Sequence, residues 1–159
     1  LAACAELIRR YSAQPAVDLR HLVRWILFNL YVGNNDSHAK NLSLYAVPNQ
    51  GVLLTPFYDL MCTRLYPGLS QEFAFSIGGE FKPGSMTRQH LEALAGQLGM
   101  RPQFLLRQAA DLAAKVPAGL HRALEETHPA LSHSARALAS KLAHFIESTT
   151  KKTAARFSR

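Results

Sequence analysis

Apolar positions fall into helical stripes over most of the chain, broken once by a stretch of alternation. Residues 2–12 predict a short helix with Leu7, Ile8 and Tyr11 on one face, and Gln14-Pro15 ends it. Asp18 is placed to cap a second helix, in which Leu22, Val23, Ile26, Leu27, Leu30 and Tyr31 recur at helical spacing and Gly33 supplies the stop. That helix is more apolar than a surface helix, so it is expected at the centre. From Leu42 to Ala46 apolar and polar residues alternate as in a strand. Pro48-Asn49-Gln50-Gly51 is turn chemistry and Val52-Leu53-Leu54 returns, which makes a β-hairpin. Phe73 to Ile77 reads as a further short strand. Beyond it, Thr87 caps a helix stapled by Met86 and Leu91 and closed by Gly99. Another helix starts at Pro102 and stops at Pro117, a shorter one covers 118–126, and a last one begins near 130. The last buries Leu131, Leu138, Leu142, Phe145 and Ile146. The fold class is therefore mainly α with a small β-hairpin.

Composition narrows this picture modestly. With 159 residues, 48% apolar and 18% charged, the chain suits one globular domain with a core of its own. No apolar run approaches the roughly 20 residues that span a bilayer, so no membrane role is expected. Cys4 and Cys62 have no metal-ligand spacing and read as free thiols in a reducing cytoplasm. The net charge of +7 is concentrated at the end, where Lys151, Lys152, Arg156 and Arg159 stand without an acid. Residues 151–159 are read as a solvated basic tail following a domain at 1–150, with a nucleic-acid or acidic partner as the alternative.

Candidate chemistry sits between the central helix and the hairpin, in Gly33-Asn34-Asn35-Asp36-Ser37-His38-Ala39-Lys40-Asn41. Polar groups beside so apolar a helix are either solvated or partnered. Asn41 immediately precedes the first strand and Asp59 follows the second, so the hairpin should bring them to one edge near Asp36. Two carboxylates and a carboxamide suit Mg²⁺, a hard cation that takes one or two protein oxygens together with phosphates and water. Asn41 and Asp59 are the candidate metal ligands. Asp36 is the candidate general base, and His38 and Lys40 are placed to stabilise charge on a phosphoryl group. Asp59 has a plainer role open to it, as the cap of a short helix over 60–65.

An Asp, an Asn five positions later, a hairpin and a second Asp is also the order of the kinase catalytic loop and metal-binding motif. Asn34-Asn35-Asp36 and Tyr58-Asp59-Leu60 differ from the wording of eukaryotic kinases. They resemble the HipA family of bacterial serine/threonine kinases, toxins of HipA–HipB-type toxin–antitoxin modules, in which G-N-x-D-x-H-x-K-N and P-x-Y-D are characteristic. Here those motifs read Gly33 to Asn41 and Pro56-Phe57-Tyr58-Asp59, and Ser76-Ile77-Gly78-Gly79 with the following helix is similar too. The resemblance implies the helical C-terminal lobe of a kinase-like fold, with Asp36 as base, Asn41 and Asp59 on Mg²⁺, and His38 and Lys40 against the phosphates of ATP. It implies as partners a protein substrate from the translation machinery and a small DNA-binding antitoxin, with DNA reached only indirectly. The glycine-rich phosphate loop and strand lysine of a kinase's first lobe are not found in the sequence. Such elements precede the matched region in the family, so the chain is expected to transfer phosphate poorly by itself. A metal-dependent phosphohydrolase built on Asp36, His38 and Asp59, or a noncatalytic binding module, are the competing readings.

Overall fold

The computed structural model describes residues 1–158. Five α-helices and one antiparallel hairpin follow in the order α1 (Ala2–Tyr11), α2 (Pro15–Val32), β1 (Leu44–Val47), β2 (Gly51–Leu54), α3 (Arg88–Gln97), α4 (Pro102–Thr127) and α5 (His133–Phe157). The mainly α class with a small hairpin is thus as expected. Among the described residues no helix is long and apolar enough to cross a membrane.

Helix α2 is the axis of the molecule. Its apolar positions Leu22, Val23, Ile26, Leu27, Leu30 and Tyr31 are fully buried, because α1, α4 and α5 all pack around it. Burial of each such side chain is worth about 1.5–3 kcal/mol. Trp25 extends this core toward the loops, with its ring 6.2 Å from Phe57 and 5.7 Å from Phe75.

Several expectations need correction. Helix α2 begins at Pro15, whose fixed φ suits a first helical position, so Asp18 lies inside the first turn and caps nothing. It is instead a buried carboxylate that accepts from Ser12 Oγ at 2.6 Å and from the backbone N–H of Leu54 at 2.9 Å, tying the α1–α2 turn to β2. On α1 the buried residues are Ala5 and Ile8, whereas Leu7 and Tyr11 are exposed. The strands are four residues each, with Leu44 opposite Leu54 and Val47 opposite Gly51, so β1 starts two residues later than the alternation suggested. Phe73 to Ile77 makes no strand ladder; a single bridge joins Ile77 and Glu80 around Gly78-Gly79. The ladder is interrupted because the Ala74 N–H donates to the Asn35 carbonyl at 3.0 Å instead. A Cβ on Gly78 would stand 2.0 Å from the His90 carbonyl oxygen, so only glycine lets the turn approach α3.

Helix α4 runs through Pro117 rather than stopping there. The proline removes one backbone hydrogen bond. Leu112 and Val116 before it and Leu120 after it still pack on the same core, which outweighs that loss. Helix α5 starts at His133, where Ser132 Oγ accepts from Ala135 N, and continues to Phe157. The expected tail is therefore the last two turns of a helix. Thr153 and Phe157 are buried there, and Arg156 donates to the Met86 and Pro83 carbonyls at 2.9 and 3.0 Å. Arg159 lies outside the described residues. On the same helix Ile146 is buried, while Leu138 is exposed rather than core. Cys4 and Cys62 are free and half-buried.

Candidate active site

Gly33 ends α2 in the left-handed conformation, φ 77°, and turns the chain into the polar run. A side chain there would meet Phe145 of α5, whose ring carbon lies 2.6 Å from the position of a Cβ. Three amides then lock the loop to the core. Asn29, inside α2, donates to the Trp25 carbonyl at 2.9 Å and accepts from Asn34 Nδ2 at 2.9 Å. Asn34 Nδ2 also donates to the backbone carbonyl of Asp59 at 3.0 Å, across the base of the hairpin. Asn35 receives the next segment, with its N–H donating to Thr63 Oγ1 at 2.8 Å and its Nδ2 to the Ser70 carbonyl at 3.1 Å. Asn29, Asn34 and Asn35 are all buried, so these bonds satisfy groups that would otherwise be costly, although Asn35 Oδ1 is left without a partner. Residues 39–41 close the loop as one 3₁₀ turn, and Asn41 Oδ1 accepts from the His38 N–H at 2.9 Å.

That bond fixes which way the Asn41 amide faces, because a backbone N–H can only donate to the oxygen. The amide nitrogen is thereby turned to Asp59, donating to Oδ2 at 2.9 Å. The two polar groups that flank the hairpin therefore meet directly. Asp59 holds a left-handed backbone, φ 57°, a conformation aspartate tolerates better than most residues. It caps no helix: the short turn at Thr63–Leu65 begins from Cys62. Tyr58 braces the same edge, donating to the Lys40 carbonyl at 2.9 Å.

Of the remaining sequence-chosen residues, only His38 bonds to this pair, through its backbone N–H. Asp36 is exposed and takes part in none of these bonds. It faces a hollow of about 300 Å³ shared with Met61, Leu69, Ser70, Glu72 and Phe73. His38 is half-buried and its Nδ1 is shielded from solvent without a partner. The Lys40 side chain is exposed. Asn34 and Asn35 belong to the polar run but have no role assigned from sequence, and Asn29 and Thr63 are not among its candidates. The available signal was Asn29, the one amide inside an otherwise apolar helix, which needs a buried partner.

The fit to a divalent cation rests on the donors present. Asp59 Oδ1 is not used in the hydrogen bond with Asn41, and the Asn41 carbonyl oxygen keeps a second lone pair. Two such oxygens suffice for Mg²⁺ when phosphate and water complete the shell. No group of three or more His, Cys, Asp or Glu side chains forms among the described residues, which is not the ligand set of a zinc site.

Residues 1–120 match the family described as HipA-like C-terminal domain. The chain belongs to this family. It is 35% identical over 145 residues, 91% of its length and 33% of the other's, to the inferred kinase Y4mE of Sinorhizobium fredii. It is 34% identical over 103 residues to the serine/threonine-protein kinase toxin HipA of Shewanella oneidensis, covering 65% of this chain and 24% of that one. Its fold superposes on a chain of the Shewanella oneidensis toxin–antitoxin complex of HipA, HipB and operator DNA, with a TM-score of 0.73 and 29% identity over 98% of this chain and 34% of that chain. The HipA-like fold is thus shown by sequence and structure together. The chain spans about a third or less of the length of these relatives.

Proposed function

We propose that this HipA-like C-terminal domain is the catalytic lobe of a protein serine/threonine kinase, acting on ATP and a protein hydroxyl together with a nucleotide-binding lobe. The observation that carries the reading is the direct contact of Asn41 with Asp59 across the hairpin, in a loop locked by Asn29 and Asn34. Asn41 and Asp59 would hold Mg²⁺, which when bound supplies charge neutralisation at the phosphates. Asp36 is the proton acceptor: exposed, unbonded and facing a hollow, it can take the proton as a substrate hydroxyl oxygen attacks the γ-phosphorus of ATP and the bond to the bridging oxygen breaks to release ADP. Lys40 and His38 supply positive charge and hydrogen-bond donors beside the phosphates. The relatives named as kinases support the same class. The phosphohydrolase reading gains nothing from the ligand geometry, since no cluster of three or more acidic, imidazole or thiol groups forms among the described residues.

By analogy with the relative solved with HipB and operator DNA, a small DNA-binding antitoxin is the proposed partner and a toxin role the proposed context. The test is phosphate transfer by a protein that joins this chain to a nucleotide-binding lobe. Asp36→Ala and Asp59→Ala should each lower the rate by about 10²–10⁴ with the circular dichroism unchanged. Rates within a few-fold of the unmodified protein would sink both assignments. The 159-residue chain alone should show little turnover with Mg-ATP.

A further inference from the structure

Arg64 follows the candidate site by five residues and lines a hollow that includes neither Asn41 nor Asp59. Its N–H donates to the Gly33 carbonyl at 3.1 Å, and its guanidinium lies over the Phe145 ring of α5, 5.3 Å from the centroid. Its Nε is shielded from solvent yet has no hydrogen-bond partner, and no described carboxylate lies within salt-bridge distance of it. A buried donor left unmade is unfavourable, more so when charged. Arg156, across the same hollow, is different: its Nε and Nη2 are taken by backbone carbonyls and by Thr153 Oγ1.

The hollow between them measures about 410 Å³. Its walls carry Arg64, Lys141, His144, Lys152 and Arg156, with the hydroxyls of Ser148 and Thr149, and no acid among the described residues lines it. Glu147 is the nearest carboxylate along α5 and pairs instead with His121 at 2.9 Å. Burial holds both guanidinium pKa values below their ordinary range, and Arg156 pushes that of Arg64 further the same way. Fixed cations gathered without a counter-charge repel one another, and the arrangement is relieved by an anion. A solvated basic face accounts for Lys141 and Lys152, which are exposed. It does not account for Arg64, whose half-buried guanidinium has no hydrogen-bond or ion-pair partner among the described residues. A planar guanidinium with free donors, ammonium groups at the rim and hydroxyls on one wall matches a tetrahedral dianion.

We propose that the hollow between the Thr63–Leu65 turn, the Pro83–Ser85 turn and α5 binds a phosphoryl group, with Arg64 as its anchor and Lys141 and Lys152 at its rim. The group is either a free phosphate or a phosphorylated side chain of a protein segment. This site is separate from the Asn41–Asp59 pair and does not depend on the kinase reading.

The test is calorimetric titration of the 159-residue chain with inorganic phosphate and with a phosphoserine peptide, at constant ionic strength. The unphosphorylated peptide and chloride are the blanks. Saturable binding of either probe is expected. Tighter binding of the peptide assigns the group to a protein segment, and binding of phosphate alone assigns it to a small anion. Arg64→Ala should weaken binding by about tenfold or more. Because that change also removes the Phe145 contact, Lys141→Glu with Lys152→Glu is the paired variant. Both residues are exposed, so the fold should persist while binding falls by a similar factor. The proposal is overturned if neither probe binds above its blank. It is equally overturned if binding survives the double lysine variant.

Discussion

Gly33 carries two requirements at one position. It must adopt φ 77°, and it must leave room for the Phe145 ring. Alanine meets neither, since its left-handed conformation is disfavoured and its Cβ would displace the ring. Gly33→Ala should cost about 2 kcal/mol, a fall in Tm of about 4–8 °C for a chain of this size. Calorimetric melting checks this, and an unchanged Tm would show that the α2–α5 contact can move freely. A glycine stop was readable from its place after an apolar helix. The second requirement was not, because Phe145 is more than a hundred residues away. The amides follow the same division. Asn41 and Asp59 could be chosen from spacing about a hairpin. Asn34 could not be seen bridging Asn29 to the Asp59 carbonyl, since nothing local distinguishes it from a solvated loop amide.

At the scale of elements, Tyr31 joins α2 to α4 by donating to the Ala109 carbonyl at 2.9 Å. Burial raises its phenol pKa well above the ordinary value. The neutral form is therefore favoured in the folded state. The stability this represents is fully present below the unfolded pKa of about 10. It is lost as pH rises from there toward the folded value. Tyr31→Phe should cost about 1 kcal/mol at neutral pH. It should also lose less stability than the unmodified protein between neutral pH and about pH 11. Urea midpoints at the two pH values measure both effects, and an equal alkaline loss in the two proteins would exclude Tyr31 as its source. The same helix pair shows why Pro117 misled. A proline's local cost argues for a boundary. The stripe of Leu112, Val116 and Leu120 along one side keeps the helix on its core through that position. The opposite error, at Asp18, came from reading a favourable cap type where Pro15 had already started the helix.

For the molecule as a whole, the last turns of α5 close the core rather than trail from it. Phe157 and Thr153 are buried, and Arg156 reaches the loop before α3. Removing residues 151–159 should therefore cost about 3 kcal/mol or more, comparable to truncating a buried aromatic side chain. Chemical denaturation of the shortened chain measures it, and a midpoint equal to that of the full chain would restore the solvated-tail view. The positive charge of this end made a tail plausible. Only the tertiary packing shows where the apolar positions Ala154 and Phe157 find neighbours, beside Leu106, Ala109 and Ala113 of α4, Tyr31 of α2 and Arg88 of α3.

The amino-acid sequence alone determined the helical class, the central place of α2, the hairpin and the family motifs from Gly33 to Asn41 and Pro56 to Asp59. Each is written in local periodicity or fixed spacing, which the backbone's 3.6-residue and two-residue repeats translate directly into faces and turns. Tertiary structure decided the rest. It set Asn41 against Asp59 through a shared amide network, carried α4 past its proline, and folded the basic end into the core. Those outcomes depend on which distant residue supplies the missing hydrogen bond or apolar neighbour, and no window along the chain contains that information.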